Sequence, residues 1–137
     1  MRFGGISVLA LSAFALAACQ TILFKEKETV APMGVSFSWN ESHKCSSVPP
    51  SFYISGVPKG TKTLEFKMTD LNAPSYPHGG GTVAYTGTGK IPEGAFTYTG
   101  PCPPDGAHRY EFEVTAFDET GETVLGQGKA ARSFPPQ

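Results

Sequence analysis

The sequence predicts an all-β domain, an antiparallel β-sandwich with Greek-key connections and little helix. Several segments alternate polar and apolar residues with a period of two, as half-buried strands do. No segment keeps an apolar period of 3.6 residues over the length of a substantial helix. The chain also contains 16 glycines and 12 prolines, which favour turns between short strands. Short strands separated by such turns are typical of sandwiches.

Residues 1–18 are predicted to be an export signal. A positive charge at Arg2 precedes an apolar segment, residues 6–18, that is too short to span a membrane. This segment ends in Leu16-Ala17-Ala18-Cys19, which is similar to the bacterial lipobox, where the cysteine after the signal is lipidated. An ordinary secretory signal is the alternative. Because Gln20 follows the cysteine, we expect the protein in the outer membrane, facing the periplasm, with its membrane attachment through lipidated Cys19.

The remainder divides into a tether and one domain. Residues 19–34 are predicted to be the lipidated N-terminus and a polar tether, and residues 35–137 are long enough for one domain with one core. The net charge is −1, and charged residues make up 17% of the chain without a basic stripe. This charge pattern argues against nucleic acid as a partner.

The strands follow from the alternating segments, taken in chain order. They are predicted at residues 35–39, 51–54, 63–70, 82–85, 110–116 and 123–126, with 130–134 as a last strand or a short helical turn. Residues 95–99 lead into the segment 100–110 and the strand after it. Residues 71–81 and 87–94 are rich in glycine and proline and are predicted to be a loop and a turn. The aromatic residues on inward faces are expected in the core, and His43 is expected in a solvated loop.

Cys45 and Cys102 are the two cysteines left once Cys19 is assigned to the lipid. An exported protein meets an oxidising compartment, so we expect a Cys45–Cys102 disulfide. A bridge closing so long a loop would contribute roughly 4 kcal/mol in the chain-entropy model. Two free buried thiols are the alternative.

The segment 100–110, Gly-Pro-Cys-Pro-Pro-Asp-Gly-Ala-His-Arg-Tyr, is the main candidate for function. Its prolines and glycines give a stiff, turning backbone that places His108 and Tyr110 at the start of a strand. Asp70 and His78 lie at another strand end and in the loop after it. A histidine supported by a carboxylate can donate to an anion, and a tyrosine hydroxyl adds a donor. These four residues predict a pocket for a small anion, although each histidine could instead be an ordinary surface residue.

Three segments carry a family resemblance together with His78: residues 56–64, 70–74 and 100–110. They resemble the phosphatidylethanolamine-binding protein family, whose bacterial members are also called Raf-kinase-inhibitor-like. The resemblance implies a β-sandwich with a small pocket at one end that binds phosphate or phospholipid head groups. It implies the following ligand-binding residues, with the prolines as walls: Asp70, Pro74, His78, Pro101, Pro103, His108 and Tyr110.

The chain departs from the family pattern at two points. Asn72 replaces a second carboxylate of the family's D-P-D-x-P motif, and Gly79-Gly80-Gly81 follows His78 where the family has a tryptophan. We expect these changes to alter the facing wall of the pocket. The chain is also short after the motif strand, so the family's C-terminal helix is not expected.

The predicted role is that of a binding protein, without catalysis and without a cofactor. His78-Gly79-Gly80-Gly81 imitates the oxyanion loop of some esterases, but the chain has no G-x-S-x-G nucleophile motif. Two alternatives remain open. Asp70, His78 and His108 form a two-histidine, one-carboxylate set that could hold a divalent metal if they converge. A structural or interaction lipoprotein with a vestigial pocket is the other.

Overall fold

The computed structural model describes residues 29–137. The predicted signal, residues 1–18, and the predicted lipidation site Cys19 lie outside the described residues. The regular structure is almost entirely β, which confirms the predicted fold class. The strands are β1 (Ala31–Pro32), β2 (Gly34–Phe37), β3 (Phe52–Ser55), β4 (Thr63–Asp70), β5 (Gly80–Ala84), β6 (Lys90–Ile91), β7 (His108–Phe117) and β8 (Val124–Phe134). Within the described part of the chain, the single helical element is a 3-10 turn, Glu41–His43.

The strands form two sheets. The larger sheet has the order β1-β8-β7-β4-β5, and the smaller has the order β2-β3-β6. All pairings among the described strands are antiparallel except β1 with β8, which is parallel. This edge departs from the predicted antiparallel arrangement, because the chain lies alongside β8 in the same direction before it crosses to the smaller sheet.

Aromatic side chains from both sheets form the core. The centroid of the Phe52 ring in the smaller sheet lies 4.8 Å from the ring centroids of both Phe66 and Phe112 in the larger sheet. Phe37 packs edge-on against Phe112 at 5.1 Å, and Trp39 is also buried. The period-two alternation of β4 and β7 places these rings on the face that meets the other sheet, as the sequence predicts. This burial of apolar area is the main source of fold stability.

The β-structure extends upstream of the predicted domain start at residue 35. Ala31 pairs with Gly126 and Pro32 with Gln127, and the Met33 side chain is buried in the core. Residues 31–34 therefore belong to the fold, although their sequence carries no alternation that would show it.

The predicted strands match the structure unevenly. Residues 63–70 form β4 as predicted, whereas the two C-terminal segments join into the single strand β8, which leaves no helical turn there. Residues 95–99, which lead into the motif segment, form no strand. The Tyr98 amide donates to the carbonyl of Ser47 and the Thr99 amide to that of His78, so this segment bonds to two different loops and forms no ladder.

His43 is buried, contrary to the prediction of a solvated loop residue. Its Nδ1 atom accepts a hydrogen bond from the Asn40 amide at 2.9 Å, while the Asn40 side chain accepts one from the Ser42 amide. The imidazole also packs against the Trp39 ring, with 5.7 Å between centroids. His43 is therefore a structural residue that closes the 3-10 turn.

The register of the larger sheet brings the candidate residues to one end. Asp70, the last residue of β4, pairs with Tyr110 of β7, and His108 at the start of β7 pairs with Phe134 of β8. Because β4 and β7 are antiparallel, the end of one strand and the start of the other share an edge of the sheet.

No helix within residues 29–137 has the length and apolar character needed to cross a membrane.

Candidate functional site

A cavity of about 370 Å³, called the first cavity below, opens at this end of the larger sheet. Five of the seven predicted site residues line it: Asp70, His78, Pro103, His108 and Tyr110. They come from the end of β4, the loop after it, the stiff segment before β7 and the first residues of β7. The sequence prediction that these separated segments converge therefore agrees with the structure, whereas their role in ligand binding stays a prediction.

Asp70 is a buried carboxylate with its hydrogen-bonding capacity used on both oxygens. Its Oδ1 accepts the amides of Asn72 at 2.8 Å and Ala73 at 3.1 Å, and its Oδ2 faces His108. Burial by itself would raise the pKa of Asp70. The hydrogen bonds from His108 and from the Asn72 amide outweigh burial and hold the pKa of this carboxyl below its usual value. Asp70 is thus an anion fixed at the wall of the cavity.

His108 is paired with this carboxylate. The distance between His108 Nδ1 and Asp70 Oδ2 is 2.6 Å, and the His108 side chain is 20% exposed. Because an ionised carboxylate can only accept, Nδ1 carries the hydrogen and donates it. The other ring nitrogen, Nε2, is left for a ligand.

His78 is held by the backbone. Its Nδ1 atom donates to the Thr99 carbonyl at 2.6 Å, while the Thr99 amide donates to the His78 carbonyl at 2.9 Å. The imidazole is nearly perpendicular to the Tyr110 ring, with 5.4 Å between centroids, and lies 4.8 Å from the Tyr76 ring. These contacts fix the ring so that Nε2 is again the nitrogen that remains for a ligand.

Tyr110 is buried beneath the two histidines. Burial, together with the negative charge of Asp70, raises the pKa of Tyr110 to about 12. The phenol therefore stays protonated across the physiological range and can act as a neutral donor. The first cavity combines one carboxylate, two imidazoles and two phenols, with neither lysine nor arginine among the described residues that line it. Positive charge in it comes from histidine protonation.

Comparison with known proteins gives a family match. The family model described as phosphatidylethanolamine-binding protein matches residues 21–133. The chain belongs to the phosphatidylethanolamine-binding protein family. The resemblance noted from the sequence is thereby confirmed.

Individual members of the family share the fold at low sequence identity. Escherichia coli YbcL, described as a new member of the mammalian PEBP family, superimposes with a TM-score of 0.57 at 20% identity, covering 77% of this chain and 99% of that one. A Chlamydia trachomatis protein described as a PEBP homologue superimposes with a TM-score of 0.57 at 19% identity, covering 80% of this chain and 100% of that one. The UPF0098 protein of Archaeoglobus fulgidus is 28% identical over 80% of this chain, which spans about half (48%) of that relative.

Two predicted site residues of this family member lie away from the cavity wall. Pro74 is exposed in the loop after β4, and Pro101 is buried beneath the motif segment, where its carbonyl accepts the Cys45 amide at 2.8 Å. The predicted disulfide between Cys45 and Cys102 is present in the structure, with 4.6 Å between the Cα atoms. Pro101 therefore helps to hold the disulfide segment in place and forms no part of the cavity surface.

The sequence reasoning did not single out four lining residues: Ala73, Tyr76, Cys102 as a wall residue, and Pro104. Tyr76 is the most informative of these. It is an exposed aromatic residue two positions before His78, in a loop without charged residues. An aromatic side chain exposed in a proline-rich loop is a signal of binding, and it could have identified Tyr76.

The two departures from the family pattern lie outside the first cavity. The Asn72 side chain accepts the Arg109 amide at 2.7 Å and so fastens the loop to β7. Gly80 and Gly81 belong to β5, where a Cβ atom at Gly80 would lie 1.7 Å from the Phe66 carbonyl oxygen. These glycines allow close packing of β5 on β4, and the expected change to the facing wall stays a prediction.

The alternative metal site is not formed. Residues 29–137 contain no group of three or more His, Cys, Asp or Glu side chains placed to hold a metal ion. Asp70 is engaged by His108 and two backbone amides, and His78 directs Nδ1 to the Thr99 carbonyl. The three residues share a cavity but do not converge on one point.

Proposed function

We propose that this protein binds a small phosphate-type anion, either free or as part of a phospholipid head group, in the first cavity and without catalysis. The observation that carries the proposal is the 2.6 Å contact between Asp70 and His108. It joins a carboxylate held ionised to an imidazole whose second nitrogen remains for a ligand.

The proposed binding is charge-assisted. When His108 is protonated, Asp70 balances its charge and Nε2–H can donate to an anionic oxygen. Protonated His78 supplies a further donor in the same cavity. Since no fixed cation lines the described cavity, affinity is expected to increase as the pH falls and the histidines protonate.

The side chains at the cavity support binding more than catalysis. The Cys102 sulfur at this site is bonded to Cys45 in the disulfide. The Tyr110 phenol, with its pKa raised to about 12, is a poor nucleophile near neutral pH. Membership of a family of binding proteins supports the same role.

Attachment to the membrane is a further part of the proposal. A lipid on Cys19 would hold the domain at the outer membrane, facing the periplasm. The Cys45–Cys102 disulfide supports an oxidising compartment of this kind. Mass spectrometry of the membrane fraction should find an acylated N-terminal Cys19 peptide, and the Cys19→Ser variant should be released into the soluble fraction. An unmodified Cys19 peptide in the membrane fraction would overturn the anchor.

The binding proposal is tested by nuclear magnetic resonance of the imidazole groups during titration with inorganic phosphate and with glycerophosphoethanolamine. We expect the signals of His78 and His108 to move at millimolar ligand, more strongly at pH 6 than at pH 8. The third histidine, His43, is buried outside the cavity and serves as an internal control. Equal shifts at all three histidines, or no shift at any of them, would overturn the proposal.

A further inference from the structure

A second cavity, of about 300 Å³, adjoins the first. The two share Tyr76 and Cys102, so the disulfide and one exposed aromatic ring separate them. The Thr99 backbone, which lines the second cavity, exchanges two hydrogen bonds with His78 of the first, at 2.6 and 2.9 Å. The two cavities are therefore direct neighbours along one surface.

The second cavity differs from the first in its chemistry. Its polar side chains carry hydroxyl groups and no charge: Ser46, Ser47, Tyr76, Tyr98 and Thr99. None of its described lining residues is a carboxylate, an imidazole or a cation. Hydroxyl groups can both donate and accept, so such a surface suits a neutral polar group that itself carries hydroxyls.

Tyr98 supplies the second observation that points to a ligand. Its side chain is 7% exposed, and its hydroxyl has no hydrogen-bond partner among the described residues. Phe112 and Phe96 hold the ring, at 5.8 and 5.9 Å between centroids. A buried hydroxyl without a partner is destabilising, and native proteins retain few of them.

The Tyr98 hydroxyl also remains a donor over the whole physiological range. Burial raises the pKa of Tyr98 above its ordinary value, and the neighbouring Tyr110, which lines the first cavity, raises it further. Tyr98 thus lines the second cavity with its phenol protonated.

We propose that the second cavity is a subsite for the hydroxyl-bearing part of a phosphorylated polyol, whose phosphate group occupies the first cavity. This inference rests on the proposed function of the first cavity and extends it to a ligand class. The Tyr98 hydroxyl, orphaned in the free protein, donates to a ligand hydroxyl, and the Ser47 and Thr99 groups surround the rest of the polyol. The ligand therefore binds in two parts, on either side of Tyr76.

The test compares inorganic phosphate with glycerol phosphate by calorimetry, using the intact disulfide-bonded protein and its Tyr98→Phe variant. We expect glycerol phosphate to bind the wild type about tenfold more tightly than phosphate, the equivalent of one or two hydrogen bonds. In Tyr98→Phe this preference should fall to about twofold, while the affinity for inorganic phosphate stays the same.

The matched control is Tyr53→Phe, since Tyr53 is exposed on β3 and lines neither cavity. It should keep the tenfold preference. Because Tyr98→Phe removes an unpartnered hydroxyl, we expect it to fold with at least wild-type stability, so a loss of preference would not reflect misfolding.

The outcomes separate the two proposals. Equal affinity of the wild type for both ligands, or an undiminished preference in Tyr98→Phe, would overturn the subsite and leave the anion-binding function standing. Failure of the wild type to bind either ligand would overturn both.

Discussion

Replacing Asp70 by asparagine removes the negative charge from the wall of the first cavity while nearly preserving the shape of the side chain. In the wild type, Oδ1 accepts two backbone amides and Oδ2 accepts the His108 Nδ1–H at 2.6 Å. The amide oxygen of asparagine can keep the two backbone bonds. The charge-assisted bond to His108 is lost, because an amide NH₂ group now faces a ring nitrogen that also carries hydrogen.

The expected loss follows from that one bond. A hydrogen bond to a buried charged group contributes about 2 kcal/mol, so the free energy of unfolding of Asp70→Asn should fall by about 2 kcal/mol. For a domain of this size the midpoint of thermal unfolding should fall by about 8 °C. The matched control is Asp105→Asn, which removes an exposed carboxylate from the segment before β7 and should change stability by less than about 0.5 kcal/mol.

The loss should also depend on pH. The folded protein lowers the pKa of Asp70, so this group stabilises the fold fully above its unfolded pKa of about 3.9 and ceases to do so as the pH falls through the lower, folded value. The difference between wild type and Asp70→Asn should therefore be about 2 kcal/mol at pH 6 and should shrink as the pH falls below about 4.

The assay is urea unfolding at pH 6 and pH 3, followed by the fluorescence of Trp39, the one tryptophan of the chain, which is buried in the core. If Asp70→Asn is no less stable than Asp105→Asn at pH 6, or if its deficit is the same at both pH values, the Asp70–His108 pair does not have the role assigned to it.

Three further predictions concern the framework of the site. His43→Leu should lower the free energy of unfolding in urea by about 1 kcal/mol, because it removes the acceptor that closes the 3-10 turn. His43→Asn restores an acceptor and should recover part of this loss. Equal free energies of unfolding for the two variants would contradict the capping role. Gly80→Ala should be destabilised by about 3 kcal/mol through overpacking, since its Cβ atom would meet a β4 carbonyl. In the control Gly106→Ala, the Cβ atom meets nothing within 4 Å but φ is +59°, so the free energy of unfolding should fall by only about 1 kcal/mol. A larger loss for Gly106→Ala than for Gly80→Ala would be inconsistent with the packing of β5 on β4. Reduction of the Cys45–Cys102 disulfide should lower the free energy of unfolding by about 4 kcal/mol, given the loop it closes, and a reduced protein with unchanged stability would refute this estimate.

The sequence was sufficient for the fold class and for strands with clear alternation. Strand β4 was predicted at its observed bounds because Leu64, Phe66 and Met68 alternate with polar residues that face solvent. The segment 95–99 alternates in the same way, yet its amides bond to separate loops. Alternation reports which residues are buried and does not report which partner strand is available.

For the site, local sequence identified the chemical groups but not their surroundings. Asp70, His78, His108 and Tyr110 could be named because they follow strand ends and a stiff loop, where sheet proteins place binding groups. His43 was assigned to solvent because its neighbours are polar, whereas its burial depends on Trp39, which packs on it in the folded protein. Such contacts between side chains have no counterpart in a local pattern.

The parallel pairing of β1 with β8 has a consequence for how the domain would be oriented at a membrane. Ala31 joins the sheet beside Gly126, while the first cavity lies near Phe134, about 27 Å farther along β8. If Cys19 carries a lipid, the chain from there to Ala31 can span at most about 40 Å when fully extended. To place the mouth of the cavity at the same bilayer, the chain would have to run back along the side of the domain. This path of about 27 Å would take about two thirds of the fully extended length of the chain. A chain that ran straight from the lipid to β1 would turn the mouth outward, and a ligand dissolved in the surrounding compartment would then reach the cavity more directly than a head group of the anchoring bilayer.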